Sequence, residues 1–361
     1  MNQARKSFRS SRMLGAALTI LAASCASSSG GADEQQIINP LTSTGARAAP
    51  SDFNGGAGSE RAVWNPSSGV WTVENAADVQ WGQAGDIPVA GDFDGDGKAD
   101  RAVVRPDPRT VSSSVWWVLK SGGGVTNVPW GAAGDIPISG DFDGDRRTDP
   151  AIYRPASGQT PGQWWAILSS DNSQRLLGNW GGLGDVPIAG DFNGDGKTDL
   201  AVYRPAAQSQ WWVAPSNPDN TFNTSVSSPA AIWGNSTDWP IAGDFDNDGR
   251  TDFAVWRPES GQWWVINGQL PAPSGGVVAQ WGSPGDIPIA FDVDGDGKID
   301  PTIWRNGDWW VYGRGYLGSI GGGIPLPYQA TNPRAIGACT NDPVIIGGRG
   351  GLRTQSLCEL N

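Results

Sequence analysis

Histidine is absent from all 361 residues, and that absence removes whole classes of chemistry. There is no Ser-His-Asp triad, no imidazole general base, and the commonest zinc ligand is missing. Charged residues make up only 17%, methionine occurs twice and cysteine three times. The apolar stretch near the N-terminus is too short to cross a bilayer, and no other apolar run is long enough. What is abundant is glycine (52), proline (27) and tryptophan (20). A chain with so many indoles has ample apolar area to bury, which argues against disorder. Many turns combined with a large aromatic core read as all-β.

The N-terminus reads as a targeting segment, residues 1–24, to be set apart from the fold. Arg5, Lys6, Arg9 and Arg12 precede the short apolar stretch from Met13 to Ala23, and Leu21-Ala22-Ala23-Ser24-Cys25 ends it with small residues. This pattern resembles a bacterial lipobox, which implies cleavage before Cys25 and lipid attached to it. Ordinary secretory cleavage near Ala26 is the alternative. Three cysteines are an odd number for an exported protein; with Cys25 lipidated, Cys339 and Cys358 remain as a pair able to close a loop in the C-terminal tail. Residues 25–47, rich in Ser, Gly and Ala, read as a flexible tether. The expected location is the cell envelope or surface, or the medium if Cys25 is not lipidated.

Beyond the tether the chain repeats itself. Aspartate-rich loops begin at Asp52, Asp92, Asp141, Asp191, Asp244 and Asp292, spaced by 40, 49, 50, 53 and 48 residues. Within a unit, a Gly-Asp-Ile-Pro-like entry (85–88, 134–137, 184–187, 285–288) leads into the loop. An apolar run ending in Arg-Pro follows (Arg105-Pro106, Arg154-Pro155, Arg204-Pro205, Arg257-Pro258). Then come a Trp-Trp segment starting at Trp116, Trp164, Trp211 or Trp263, and a closing Trp-Gly at Trp81, Trp130, Trp180, Trp233 or Trp281. Each part is short, β-branched or aromatic and bounded by Gly, Pro or Asp, so each unit predicts four strands. Four strands every ~50 residues is the signature of a β-propeller blade. A small sheet alone exposes its edges and an apolar face, so blades must pack on their neighbours and close. Successive side chains alternate faces along a strand, so a Trp-Trp step offers one ring to each neighbouring blade.

Six loops are visible. After Trp309-Trp310, the runs Leu317-Gly318 and Gly323-Ile324-Pro325-Leu326 repeat the Trp-Gly and Gly-Asp-Ile-Pro order in weakened form. Residues 48–361 are therefore expected to form seven blades, with 324–361 a degenerate last blade lacking a metal loop; six blades is the alternative.

The loop Asp92-Phe93-Asp94-Gly95-Asp96-Gly97-Lys98-Ala99-Asp100 carries carboxylates at positions 1, 3, 5 and 9. With a backbone carbonyl at position 7 they make an all-oxygen cage suited to a hard cation such as Ca²⁺, and glycine at position 6 permits the sharp turn. The pattern recurs at Asp141/Asp143/Asp145/Asp149, Asp191/Asn193/Asp195/Asp199, Asp244/Asp246/Asp248/Asp252 and Asp292/Asp294/Asp296/Asp300. The carbonyls are those of Lys98, Arg147, Lys197, Arg250 and Lys298. An EF-hand would need Glu at position 12, where this chain has Val103, Ile152, Val202, Val255 and Ile303, so each loop joins two strands. Without a cation, four carboxylates in nine residues would repel one another. In the loop from Asp141, Arg146 replaces the position-6 glycine. In the first loop Gly56 and Gly58 replace Asp and Lys, with Glu60 at position 9, and no metal is expected there. The five intact loops hold 19 of the 37 acids. Removing the four N-terminal cations takes the net charge from −12 to −16, and five Ca²⁺ would bring it to −6. The acidity is thus mostly metal ligand and argues against nucleic acid as a partner. Asp86, Asp135, Asp185, Asp238 and Asp286, six residues before each loop, recur once per unit and read as turn caps; the Arg before Pro reads likewise as structural.

These residues resemble the FG-GAP/VCBS repeat family, the propeller also found in integrin α-subunits, over roughly residues 48 to 327. The resemblance implies Ca²⁺ held in the loop between the first and second strands of a blade. Here the family's Phe-Gly is Trp-Gly and its Gly-Ala-Pro is Arg-Pro, so an integrin-like ligand does not carry over. Propellers of this family also serve as lectins and as accessory domains. The expected function is a calcium-stabilised, non-catalytic surface module, monomeric, that recognises carbohydrate or protein and touches membrane only through its lipid. Its specificity is expected in the unequal connections Asp107 to Val115, Ala156 to Gln163 and Ala206 to Gln210. A carboxylate-based glycoside hydrolase is the first alternative, with Glu74, Asp107, Asp171, Glu259 and Asp308 as acids outside the repeat pattern. A structural envelope component is the second.

Overall fold

A computed structural model describes residues 52–56, 58–106, 113–268, 275–320 and 323–326, together with the strands Pro343–Gly348 and Gly351–Ser356. The leader, the tether, Cys25, Cys339 and Cys358 lie outside the described residues.

Six antiparallel four-stranded sheets follow one another along the chain. The first contains β1 (Ala62–Trp64), β2 (Val70–Val73) and β3 (Val79–Gln80). The second is β4 (Ile87–Gly91), β5 (Asp100–Pro106), β6 (Ser114–Leu119) and β7 (Val125–Pro129). The third is β8 (Ile136–Gly140), β9 (Asp149–Arg154), β10 (Gln163–Ile167) and β11 (Gln174–Asn179). The fourth is β12 (Val186–Gly190), β13 (Asp199–Arg204), β14 (Gln210–Ala214) and β15 (Ala231–Ile232). The fifth is β16 (Trp239–Gly243), β17 (Asp252–Arg257), β18 (Gln262–Ile266) and β19 (Gly276–Gln280). The sixth is β20 (Ile287–Phe291), β21 (Asp300–Arg305), β22 (Asp308–Val311) and β23 (Gly315–Ser319). First strands of successive blades touch, β4 with β8, β8 with β12, β12 with β16 and β16 with β20, so they line the centre of the ring. The approach is close: a Cβ on Gly91 or Gly140 would meet the Thr148 or Thr198 side chain of the next blade at 2.7 or 2.8 Å.

Among the described residues the ring has six blades, the alternative to the seven expected first. The segment β24 (Ile324–Leu326) pairs with β1, Ala62 opposite Leu326 and Trp64 opposite Ile324, and so supplies the first strand that the N-terminal unit lacks. The remaining strands, β25 (Pro343–Gly348) and β26 (Gly351–Ser356), pair only with each other and build no blade. Counting loops from Asp52 leaves one unit with no entry strand, and the weakened entry at 324 is its missing part. Closing the ring with strands from both ends removes the exposed inner edge that an open array would present. One correction concerns register. The amides of Trp81, Trp130, Trp180, Trp233 and Trp281 donate to the carbonyls of Gly69, Ser114, Gly162, Ser209 and Gly261. In the sixth blade the equivalent bond runs from Ile320 to Gly307, so Ile320, and not Leu317, stands at the tryptophan position.

The cores lie between blades. One cluster joins Ile138, Tyr153 and Trp164 to Leu200 and Val202 of the next blade, and another joins Ile188, Tyr203 and Trp211 to Phe253 and Val255. The paired tryptophans divide as their alternation predicts. The first of each pair, together with Trp71, is fully buried: Trp116, Trp164, Trp211, Trp263 and Trp309 are 0% exposed. The second turns to the other face and meets the closing tryptophan of the preceding blade. Trp180 and Trp212 pack edge-on at 6.5 Å, Trp233 and Trp264 at 5.9 Å, while the Trp81 and Trp281 indoles donate to the carbonyls of Trp117 and Trp310.

Candidate metal loops and the ring they build

Each loop leaves the end of a first strand and returns as a second strand. Its position-1 carboxylate shapes the turn by accepting backbone amides. Asp92 accepts Gly95 N at 2.6 Å and Gly97 N at 2.9 Å, and Asp141, Asp191, Asp244 and Asp292 repeat both bonds. Positions 4 and 6 adopt positive φ, as at Gly95 (78°) and Gly97 (83°), which L side chains resist. Arg146 nevertheless holds position 6 at φ 71° and donates its amide to Asp141 at 2.9 Å, so the loop expected to be odd keeps its shape under local strain. Position 4 was overlooked in the sequence, although its glycines (and Asn247, φ 63°) recur as regularly.

The position-9 carboxylates are buried at the root of most loops. Asp100, Asp149, Asp199 and Asp252 each accept the amide of position 2 and a second amide from the hairpin after the third strand, Ser121, Ser169, Ser216 or Gly268. Asp300 accepts the Val293 amide. Position-5 carboxylates fold back on the turn: Asp96, Asp145, Asp195, Asp248 and Asp296 each accept the position-7 amide, at 2.8–2.9 Å.

The structure brings the expected ligands together unevenly. Oxygens of Asp92/Asp94/Asp96, Asp141/Asp143/Asp149, Asp244/Asp246/Asp248 and Asp292/Asp294/Asp300 gather within 4.8 Å of one another. Each of these groups is three acids where the sequence pattern gave four. Asp100 and Asp252 stand outside their groups, although Asp149, held by the same pair of backbone amides, stands inside its own. Asp145 stands outside its group and accepts the Arg147 amide and the Ser169 hydroxyl. Asp296 is the clearest departure: its side chain is exposed and accepts the Lys298 amide at 2.8 Å, while Asp292, Asp294 and Asp300 converge without it. The loop from Asp191 does not gather its carboxylates so closely. There the Asn193 amide lies between them, 3.2 Å from Asp195 and 3.4 Å from Asp199.

Burial first, then neighbouring carboxylates, lifts Asp100 to about 6, Asp199 to about 7 and Asp252 to about 7, and raises Asp149 well above the ordinary range. Asp92, Asp191, Asp244, Asp292 and Asp300 are raised for the same leading reason. A convergent, all-oxygen donor set in which anions are kept close against repulsion fits a hard divalent cation. The residues that would hold it are the position-1, -3, -5 and -9 side chains and the carbonyls of Lys98, Arg147, Lys197, Arg250 and Lys298. Hairpin side chains reach the same carboxylates: Ser169 Oγ donates to Asp145 at 2.8 Å, Ser170 Oγ to Asp143 at 2.6 Å and Ser216 Oγ to Asp195 at 2.7 Å. Ser121 reaches Asp96, Asn267 reaches Asp246 and the Arg314 guanidinium pairs with Asp294.

The first loop keeps the frame with other chemistry. Asp52 accepts the amides of Gly55 and Gly56, and Glu60 accepts those of Phe53 and Asn54. The Asn54 side-chain amide donates to Glu60, so a neutral donor occupies position 3.

Position 8, unread in the sequence, joins the loops. The amides of Ala99, Thr148, Thr198, Thr251, Ile299 and Ser59 donate to the carbonyls of Asp52, Asp92, Asp141, Asp191, Asp244 and Asp292, at 2.6–2.8 Å. These six bonds form a closed circle, each running from one loop to the position-1 residue of the preceding blade. Position-7 side chains follow the same path: Lys98, Arg147, Lys197 and Arg250 lie over Gly55, Gly95, Gly144 and Gly194 of the preceding loop, where a Cβ would come within 3.0–3.1 Å of them. The recurrent threonine at 148, 198 and 251 was the available signal.

At the opposite end of the first strands, two motifs read separately turn out to be one device. Asp86, Asp135, Asp185, Asp238 and Asp286 form two-pronged ion pairs with Arg105, Arg154, Arg204, Arg257 and Arg305, always 19 residues downstream. Each Asp also accepts an amide three residues before it, as Gln83 N does to Asp86 at 3.0 Å. Arg105, Arg204 and Arg257 stack over Trp117, Trp212 and Trp264, at 5.7, 5.2 and 5.1 Å from the ring centroids. Of the acids outside the repeat, Glu74 pairs with Arg61 and Asp171 with Arg175; Asp107 lies outside the described residues.

Residues 191–255 match the FG-GAP-like repeat. That span runs from the fourth-blade loop through the fifth-blade loop into β17. No curated protein matches the chain by sequence. Among solved structures, a lectin of Agrocybe aegerita, described by its specific recognition of non-reducing terminal N-acetylglucosamine, is similar at 14% identity and a TM-score of 0.49, covering 77% of this chain and 76% of that one.

Proposed function

From the premise that this chain is a six-bladed β-propeller of the FG-GAP type, we propose that it is a calcium-stabilised, non-catalytic binding module recognising carbohydrate or protein at the cell surface. One observation carries the reading: its acids are committed to the frame. Loop carboxylates accept backbone amides and converge on a common point, and the entry aspartates are each held by an arginine. Groups so occupied support a scaffold role over a catalytic one, because catalysis needs a carboxyl free to exchange a proton. Calcium, when bound, neutralises the loops and pins the hairpins that cap them. Export through the segment ending at Cys25, with lipid on that cysteine, belongs to the same proposal.

Calcium is expected to raise the melting temperature, and EGTA to lower it. At free calcium a hundredfold above Kd, each site adds about 2.7 kcal/mol. Asp94→Ala should lower the bound stoichiometry by one ion, while Asp52→Ala should leave it unchanged. Purified protein with no bound calcium and a melting curve indifferent to EGTA would refute the metal claim. A glycan array probed with and without EGTA tests recognition; calcium-dependent binding supports it, and a blank array from folded protein removes carbohydrate from the reading.

A further inference from the structure

At four of the six seams between blades a closing tryptophan meets the second tryptophan of the next blade, Trp81 with Trp117, Trp180 with Trp212, Trp233 with Trp264 and Trp281 with Trp310, and at a fifth Trp130 and Trp165 pack against one hydrophobic cluster. At the seam between the sixth and first blades both indoles are missing. Ile320 stands at the closing position, and Thr72, which follows Trp71, stands at the other. An open cavity of about 360 Å³ occupies this place, lined by Arg61, Thr72, Val73, Glu74, Asn75, Ser319 and Ile320.

An acid enters the register at the same point. In the second, fourth and fifth blades the cross-strand pair at this register is Arg101–Leu119, Leu200–Ala214 and Phe253–Ile266. In the first blade it is Arg61 and Glu74. The guanidinium donates Nε to Glu74 at 2.9 Å, pairs with it again through NH2, and gives NH1 to the Leu317 carbonyl of the sixth blade at 2.7 Å. Arg61 thereby holds the Glu74 carboxyl below its ordinary range, so it stays an ionised acceptor. Thr72, Asn75 and Ser319 add groups that both donate and accept. The Tyr316 hydroxyl lies 2.9 Å from Ser319 Oγ, which also bonds the Asp308 carboxylate.

We propose that this seam is the ligand site, and that it takes a neutral sugar residue; the inference rests on the binding-module reading above. Sugar hydroxyls donate and accept together, which suits a fixed carboxylate flanked by hydroxyl and amide groups. An anionic ligand is disfavoured, because the one cation among the lining residues, Arg61, is already spent on Glu74.

The test is a glycan array carrying neutral and acidic termini, in calcium buffer, with affinities by calorimetry on the strongest neutral sugar. Full-length protein is expected to bind neutral termini over acidic ones. Thr72→Trp and Ile320→Trp, which restore the indoles found at every other seam, should fold and lose binding; Glu74→Gln should lose about tenfold. If an indole variant fails to fold, Asn75→Gly, a substitution of an exposed residue at φ 58°, reads the same site and should also weaken binding. Sugar binding that survives both filling of the seam and Asn75→Gly overturns the seam site while leaving the binding-module reading intact. A blank array overturns the sugar site and the carbohydrate reading together, and a preference for acidic termini overturns the ligand class.

Discussion

The loop from Asp52 and the loop from Asp92 share a frame and differ in chemistry. Both have a position-1 aspartate that gathers amides, a position-4 glycine at φ near 80° and a position-9 acid that accepts the position-2 amide. Both take part in the circle of inter-blade hydrogen bonds. They part at positions 3 and 5, where Asp94 and Asp96 become Asn54 and Gly56. Shape and ring closure thus belong to positions 1, 4, 8 and 9, while the extra carboxylates that the proposed cation would need come in at positions 3 and 5. The seams repeat the lesson. Blade packing needs the buried first tryptophan everywhere, Trp71 included, whereas the second tryptophan is absent from the first blade and the ring still closes.

The largest effect that could break this division is on the indoles. Trp211→Ala, at a fully buried ring in contact with Tyr203 and Phe253, should cost about 3–5 kcal/mol. Thr72→Ala should stay within about 0.5 kcal/mol. Urea unfolding midpoints decide it, and equal losses would erase the distinction between the seams.

Next comes pH, which tests the burial of the position-9 carboxyls at the loop roots, a feature the first loop shares, since Asp52 and Glu60 are raised as well. Asp100, Asp199 and Asp252 are raised in the folded chain to about 6, 7 and 7 from an ordinary 3.8. Protonation therefore favours the folded state: the contribution is complete below 3.8 and is lost as pH rises through 6 to 7. Calcium-free protein should melt at higher temperature at about pH 5 than at about pH 8. With saturating calcium the order should reverse, because metal binding requires the ionised carboxylates. Calorimetry in EGTA and in calcium reads both signs, and a flat calcium-free profile would contradict the burial of these carboxyls.

The smallest effect is Arg146→Gly. It relieves a side chain held at φ 71°, offset in part by the added chain entropy of glycine, for a gain of about 1 kcal/mol. The same change at Lys98, where no such strain exists, should give none; thermal melts of the two variants provide the comparison.

Much of this was legible in the sequence because it is local. Asp92 to Asp100 announces its turn through the spacing of carboxylates and glycine, and each Trp-Trp step announces two faces through strand alternation. Spacing does not say which carboxylates face inward, and Asp296 shows the limit: it sits at the same loop position as Asp96, yet only Asp96 joins its group. The Asp86–Arg105 pair was half legible: both residues were noticed, but their partnership spans 19 residues and two strands. The position-8 circle was missed because its chemistry is backbone, which leaves little mark on composition beyond the threonines at 148, 198 and 251. Spacing alone leaves seven and six blades both open, because a split blade looks, along the chain, like two incomplete ones.

By itself, then, the sequence determined the repeat, its four-strand unit and the gathering of oxygens in the loops, since these depend on residues close to one another along the chain. Tertiary structure alone decided where the ring closes and what is left unfilled there. Arg61 meets Leu317 across 256 residues, and Thr72 faces Ile320 only because β24 lies beside β1. No local spacing encodes a neighbour that ring closure supplies.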